Sequence, residues 1–420
     1  MAPGDLRRPT DVVLQCPPRV EFGNDGGMPD NREFDVTLFG CTGFTGGLIA
    51  EYLCAAAPSD ARLALAGRDR TRVEQVAARL ERDVSLIEAD ATDALSLAGM
   101  AEATRVLIST VGPYTIHGEP VVKACAEAGT DYVDLTGEPE FVDLMYLKYH
   151  EVAVESGARL IHACGFDSIP HDLGVQFTVE QLPEEVPLDV RGYVTINGSF
   201  SGGTMASALE AMSRMRESKQ ARRARIEREG PIPGRTVRII QGRPGKSTDT
   251  GRWAIPMPTV DPQIVMDSAR RLDRYGPDFR YRHALDAKNL FAAVGMVAGV
   301  GTVAALAQFG PSRTWLGSRV APGTGPSPEK RATSWFKVRF FGEGGGATVV
   351  TEVQGGDPGY GETAKMISES ALCLAFDELA TTSGQQTTAS AMGAPLRARL
   401  EIAGITFRVL PPGTRGEPIS

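Results

Sequence analysis

No two of the six cysteines, Cys16, Cys41, Cys54, Cys125, Cys164 and Cys373, form a CxxC pair. A zinc site or a disulfide framework therefore has little support, and no metal is expected. A reducing cytoplasm is the default compartment. Excess positive charge is also missing. The net charge of -8 argues against a general attraction to nucleic acid. Arg7 and Arg8 are present near the start, but no apolar h-region precedes the Pro- and Gly-rich stretch, so a cleaved signal peptide is not expected. Residues 1–32 read as a flexible leader. No internal repeat is evident. The remaining composition, 42% hydrophobic and 23% charged, is that of an ordinary soluble chain. A length of 420 residues suggests two domains, or one interrupting the other.

One long stretch lacks charge altogether. Residues 290–310 are enough to span a bilayer as a helix, although Ala and Gly lower their apolar content. The first reading is a buried helix or helical hairpin. The second is contact with lipid or a membrane, which would make the protein peripheral to a membrane. Gly295 and Gly299 permit close helix packing in either setting.

What is present is a regular alternation. Short apolar, β-branched runs at 34–39, 62–66, 84–87, 106–111, 132–135 and 159–163 are separated by stretches of helical spacing. Such a rhythm predicts a parallel sheet covered by helices, a Rossmann-type domain over 33–165. Beyond Gly165 the rhythm breaks. A strand over 188–196, a helix over 203–215 and a hairpin around Gly342–Gly346 predict a second, α+β domain over 166–395, built on an antiparallel sheet. Residues 396–420 form a C-terminal segment expected to pack back on the first domain. Between Arg214 and Lys246 lie eleven Lys or Arg and three Glu, a local net of +8. That run reads either as a solvated helix and loop or as a dock for an acidic acyl carrier or an anionic membrane.

The sharpest motif is Gly40-Cys-Thr-Gly-Phe-Thr-Gly46, between the first strand and first helix. Glycines at spacing three let the backbone turn tightly and approach a pyrophosphate, and a helix N-terminus supplies N–H donors. Gly40, Thr42, Gly43, Phe44, Thr45 and Gly46 are therefore cofactor-binding candidates. The second strand ends Ala66-Gly67-Arg68. In a site specific for NAD, an acid there would bond the ribose 2′-hydroxyl. The Arg68 guanidinium instead suits a 2′-phosphate, so NADP is favoured, while the adjacent Asp69 keeps NAD open. Ser109-Thr-Val-Gly-Pro-Tyr114 ends the fourth strand, which puts Thr110, Val111, Gly112 and Pro113 near the nicotinamide ribose. Asp90 lies either near the adenine or at a helix cap.

Together these residues resemble the saccharopine dehydrogenase-like oxidoreductases. The likeness runs on through Gly118–Cys125, Ala128–Glu138 and Ala163–Pro170, and more loosely through Ser201–Thr204, Pro322–Pro326 and Ala389–Gly393. Within that family the chain is most similar to the mycobacterial trans-acting enoyl reductases. The resemblance implies an NADPH-linked enzyme that reduces a C=C bond in a polyketide or fatty-acyl lipid precursor, with the acyl substrate presented by an acyl carrier or a polyketide synthase. Two other readings remain: an NADP-linked dehydrogenase of an amino acid or imine, and a non-catalytic NADP-binding, lipid-associated protein. Enoyl reduction needs a proton donor and an enolate stabiliser beside the nicotinamide. Tyr114, His117 and His171 are the catalytic candidates. Against these roles stand packing for the tyrosine and surface or structural duty for both histidines. Asp167 and Ser168 read as a cap of the next helix, and Glu138 as a brace of its loop.

Overall fold

The computed structural model describes residues 32–197, 214–257, 259–291 and 327–411, with 294, 295, 299, 302 and 413. The run FDVTLF forms strand β1, Phe34–Phe39, buried along its whole length. A strand buried on both faces carries an unbroken apolar run, which is the pattern of a covered parallel sheet. β2 (Leu63–Gly67), β3 (Ser85–Glu88), β4 (Thr104–Ser109), β5 (Asp131–Asp134) and β6 (Arg159–Ile161) follow, with a helix between each successive pair. They lie in the order β6-β5-β4-β1-β2-β3, all parallel. The order reverses between β1 and β4, and ligands of open α/β sheets bind beyond the carboxyl ends of the strands at such a switch point.

The second sheet has eight strands: β7 (Leu188–Asn197), β8 (Thr236–Ile239), β9 (Gly245–Lys246), β10 (Trp253–Pro256), β11 (Asp278–Ala287), β12 (Trp335–Gly344), β13 (Ala347–Gly355) and β15 (Thr406–Val409). It is mixed rather than wholly antiparallel. β11 runs parallel to β7 and β8, because the intervening helices Met215–Glu229 and Asp261–Arg271 carry the chain back to the same end of the sheet. The β12–β13 hairpin closes on two residues, Gly345 and Gly346, with φ of 57° and 81°. Positive φ at both central residues favours glycine and matches the right-handed twist of the strands.

Two segments cross between the sheets. Gly384–Gln386, assigned to the second domain by sequence, is strand β14 and pairs in parallel with β6 at the edge of the first sheet. The helix Gly361–Phe376 covers β1, β4 and β5 of the first sheet and the helix Phe44–Ala56. The C-terminal segment, expected on the first domain, instead puts β15 against β13 of the second sheet. Phe407 supplies the reason: it packs edge-on against Phe177, on the helix Ile169–Glu180 beneath that sheet. One apolar cluster runs from Val36 and Val106 in the first sheet through Leu173 to Val190 and Phe340 in the second. The predicted helix 203–215 falls almost entirely outside the described residues, as does most of 290–310. Leu290, Phe291 and Val294 of that stretch are exposed. Among the described residues, no helix is long and apolar enough to cross a membrane.

Candidate active site

The glycine loop lies at the carboxyl end of β1, where the switch point puts a ligand. Gly40 has φ of 95°, and a Cβ there would stand 2.5 Å from the Thr110 hydroxyl oxygen. A Cβ on Gly46 would collide with the Gly40 carbonyl, whereas one on Gly43 would meet only that carbonyl, at 3.6 Å. Gly40 and Gly46 thus serve the turn itself, and Gly43 leaves its outer side open. Gly43 precedes the helix Phe44–Ala56, whose N-terminus has no side-chain cap. Uncapped N–H groups and the positive end of a helix dipole suit a pyrophosphate. Thr42, Phe44 and Thr45 are part-exposed beside it. Thr110 donates to the carbonyls of Phe39 (3.2 Å) and Gly40 (3.0 Å), tying the β4 loop to the glycine turn. Val111, Gly112 and Pro113 continue along the same edge, at least partly exposed.

Arg68 is exposed at the end of β2. Asp69 accepts from Arg72 N and caps the helix Arg70–Ala77, so the acid that left NAD open has a structural duty. Asp90 follows β3 and accepts from both the N–H and the hydroxyl of Thr92, each at 2.8 Å. Those bonds hold its carboxyl below the ordinary value, helped by nearby Arg68 and His117. The helix cap expected of Asp90 falls to Asp93, which accepts from Leu95 N. Arg68, Asp90 and His117 therefore gather at one end of the sheet edge. A cradle closed by glycines, a free helix N-terminus and a guanidinium ending β2 are the features NADP requires, and the residues present fit it.

Residues 36–161 match the family model for the saccharopine dehydrogenase NADP binding domain. The trans-acting enoyl reductase of Mycobacterium tuberculosis strain H37Rv is 36% identical over 412 residues, 90% of this chain and 98% of that protein. The chain belongs to this family. Another family member, the trans-acting enoyl reductase of Mycobacterium ulcerans, is 35% identical over 408 residues, 89% of this chain and 97% of that one. Among solved structures, saccharopine dehydrogenase (L-Glu forming) of Saccharomyces cerevisiae aligns with a TM-score of 0.49 at 14% identity, covering 90% of this chain and 99% of that chain.

The proposed catalytic side chains of this family member are dispersed. Tyr114 is buried, and its hydroxyl is committed: it donates to the Ser109 carbonyl (3.1 Å) and accepts from Leu135 N (3.2 Å). Burial, with Asp134 and Glu138 nearby, holds the phenol well above its usual value. The geometry is that of a brace between β4 and β5, in place of the proton donor expected from sequence. Glu138 accepts from the backbone of Tyr114 (3.0 Å) and Thr115 (2.8 Å), fixing the short helix Tyr114–His117 as well as its own loop. His117 is part-exposed near Asp90, on the nucleotide side. His171 is buried in the helix Ile169–Glu180, with Nδ1 2.9 Å from Asp261 Oδ1 but off the line of a full hydrogen bond. The ring of His283 stands 5.2 Å from it.

Sequence reasoning missed two features. Buried His162 meets Asp134 at 2.7 Å, and Asp134 also accepts from Thr136 and Ala163 N–H groups. Asp261 and His283 escaped notice because their partners lie far away in the chain. The cap expected of Asp167 and Ser168 does not form: no side chain caps the helix at Ser168. The basic run is also different from expectation. Arg222 and Arg225 of the helix Met215–Glu229 are turned inward onto Asp143 and Asp267, and Arg225 is fully buried. These arginines neutralise buried carboxylates, so only the outer face of this helix (Arg216, Lys219, Arg223 and Arg228) remains basic and exposed.

Proposed function

We infer that the protein is an NADPH-dependent enoyl reductase acting on a polyketide or fatty-acyl thioester. The observation that carries this reading is likeness to trans-acting enoyl reductases along nine-tenths of the chain, together with a glycine cradle and Arg68 at the matching edge of the first sheet. Bound NADPH would supply the reducing equivalent. The chain's own residues would hold it: the 40–46 backbone on the pyrophosphate, Arg68 on the 2′-phosphate, and the 110–113 loop beside the nicotinamide ribose. The acyl group would arrive on an acyl carrier or polyketide synthase, for which the exposed face of Met215–Glu229 offers a basic contact. Exposed Leu290 and Phe291 offer an apolar contact for a lipid chain or membrane surface.

An amino-acid dehydrogenase would need clustered guanidinium groups in its substrate site. A groove of about 440 Å3 on the second sheet does contain Arg191, Arg243 and Arg282. Arg191, however, is already paired with Asp189, Asp249 and Glu343, and it alternates with the core-facing Val190 and Gly192. The groove therefore opens on the side of the sheet away from the shared core, which favours the acyl reading.

The test is NADPH oxidation against a panel of enoyl thioesters, with NADPH binding followed by fluorescence. Gly43→Asp puts bulk and negative charge into the open side of the cradle and should weaken NADPH binding at least ~100-fold. Arg68→Gln should weaken NADPH by about ten- to a hundredfold, the worth of a charge-assisted hydrogen bond, and leave NADH unchanged. Unaltered NADPH affinity in Arg68→Gln would remove the 2′-phosphate assignment.

A further inference from the structure

We propose that the Asp167 carboxyl delivers the proton that completes reduction at the substrate's Cα. This rests on the enoyl reductase reading and assigns it a residue. From Leu160 to Val175 every residue is buried except Asp167, which is part-exposed. It sits in the loop between β6 and the helix Ile169–Glu180, at the carboxyl edge of the first sheet. Its Oδ2 would lie 3.4 Å from a Cβ on Gly137, in the loop after β5. Phe166 N donates to Thr363 Oγ1 (3.2 Å) at the start of the helix Gly361–Phe376. Tyr360, just before that helix, packs edge-on against Phe44 of the glycine loop, with ring centroids 4.9 Å apart. The Asp167 loop and the nucleotide loop are thus joined through one short segment, on the edge where the cofactor fits.

Asp167 accepts no hydrogen bond from a described residue, which leaves its oxygens free for a substrate. Behind it lies a closed charged cluster. Asp261 opens the helix Asp261–Arg271 and contacts His171, one helical turn beyond Asp167. His283 Nε2 is 3.9 Å from the other Asp261 oxygen and 3.2 Å from the Thr259 hydroxyl. His171 Nε2 is buried, with no partner among the described residues. Burial works against ionisation of Asp261, but His171 and His283 together hold its carboxyl below the usual value. Asp167 feels the opposite balance. Burial first, then the negative charge of Asp261, push its carboxyl up to about 7, with His171 opposing. An anion held ionised beside a second carboxyl is how proteins keep an acid protonated near neutral pH.

The step balances as follows. Addition of the reducing equivalent at Cβ moves the alkene pair into an enolate on the thioester. The Asp167 O–H bond breaks as the enolate pair forms the new Cα–H bond, and the O–H pair stays on the carboxylate. NADPH is oxidised, the acyl group is reduced, and solvent at the exposed edge of Asp167 restores its proton.

The experiment has two arms on the full-length protein. In the first, infrared difference spectra of the cofactor-free protein between pH 5 and 9 should contain a carboxylic C=O band lost with a midpoint near 7. Asp167→Asn should lack that band, and Asp261→Asn should move its midpoint down. In the second, with NADPH and an enoyl thioester, Asp167→Asn should lower kcat by ~10²–10⁴. NADPH affinity should stay within about twofold, and Asp167→Glu should restore part of the rate. The wild-type kcat should fall as pH rises through about 7, since the protonated acid is required. A band unaffected by Asp167→Asn, or full turnover in that variant, overturns the proposal. Wild-type protein that binds NADPH but reduces no enoyl thioester instead sinks the reductase reading, and the infrared arm still tests the acid directly.

Discussion

Tyr114 illustrates how a residue beside a cofactor loop can be structural. Its ring packs against Phe141, 5.7 Å between centroids, and its hydroxyl joins the ends of β4 and β5. Tyr114→Phe leaves a buried carbonyl and a buried N–H without that partner. It should therefore cost about 1–3 kcal/mol of stability in urea denaturation while kcat changes little. A large loss of kcat at unchanged stability would return the hydroxyl to the chemistry. At this scale the sequence was informative where function is written locally. The spacing of Gly40, Gly43 and Gly46 and the position of Arg68 need only the adjoining strand and helix to be understood. His171 was legible as a candidate, but not its environment: Asp261 and His283 arrive on a later helix and strand. Asp167, read as a cap, is freed because the helix starts without one.

At the scale of elements, charge counting along Met215–Glu229 misjudged where the charges go. The helix packs against Pro139–Ser156, and Arg225 lies over the Tyr146 ring at 4.3 Å while pairing with Asp143, Glu229 and Asp267. A basic run opposite buried carboxylates is a clamp, and nothing in the run itself reveals the acids. Arg225→Met should destabilise the fold by about 3–5 kcal/mol, because Asp143 and Asp267 would keep too little compensation. Arg223→Ala, on the exposed face, should stay within about 0.5 kcal/mol. Chemical denaturation of both variants checks the contrast. The strands of the first sheet were legible from their apolar runs to within a few residues. β14 was not: Gly384-Gln-Gln386 has no apolar pattern, and it is recruited by backbone pairing with β6 and by Gln385, which bonds His150 and the Val142 carbonyl of the helix Pro139–Ser156. Parallel pairing of β11 with β7 was equally hidden, since alternation of side chains is the same in either direction.

At the scale of the molecule, the two sheets share their interior. Asp172 beneath the second sheet accepts from Ser268, Thr388 and Ala389, binding two separate segments to one buried carboxylate. The alternation of strand and helix suggested a first domain ending near 165, yet one face of its sheet is covered by Gly361–Phe376. A fragment of residues 32–168 would expose the apolar side of β1, β4 and β5. It should aggregate or fail to bind NADPH, in contrast to the intact chain. Soluble fragment with intact NADPH affinity, read by fluorescence titration, would refute this.

That late-arriving helix also constrains synthesis. Although the nucleotide loop leaves the ribosome early, its supporting sheet stays half-clothed until residues beyond 376 have emerged. The nascent first domain must therefore wait, with sticky strands on show, through translation of the entire second sheet up to β13. Chaperone dependence and premature termination would weigh on this protein more heavily than on one whose cofactor domain is completed in a single pass.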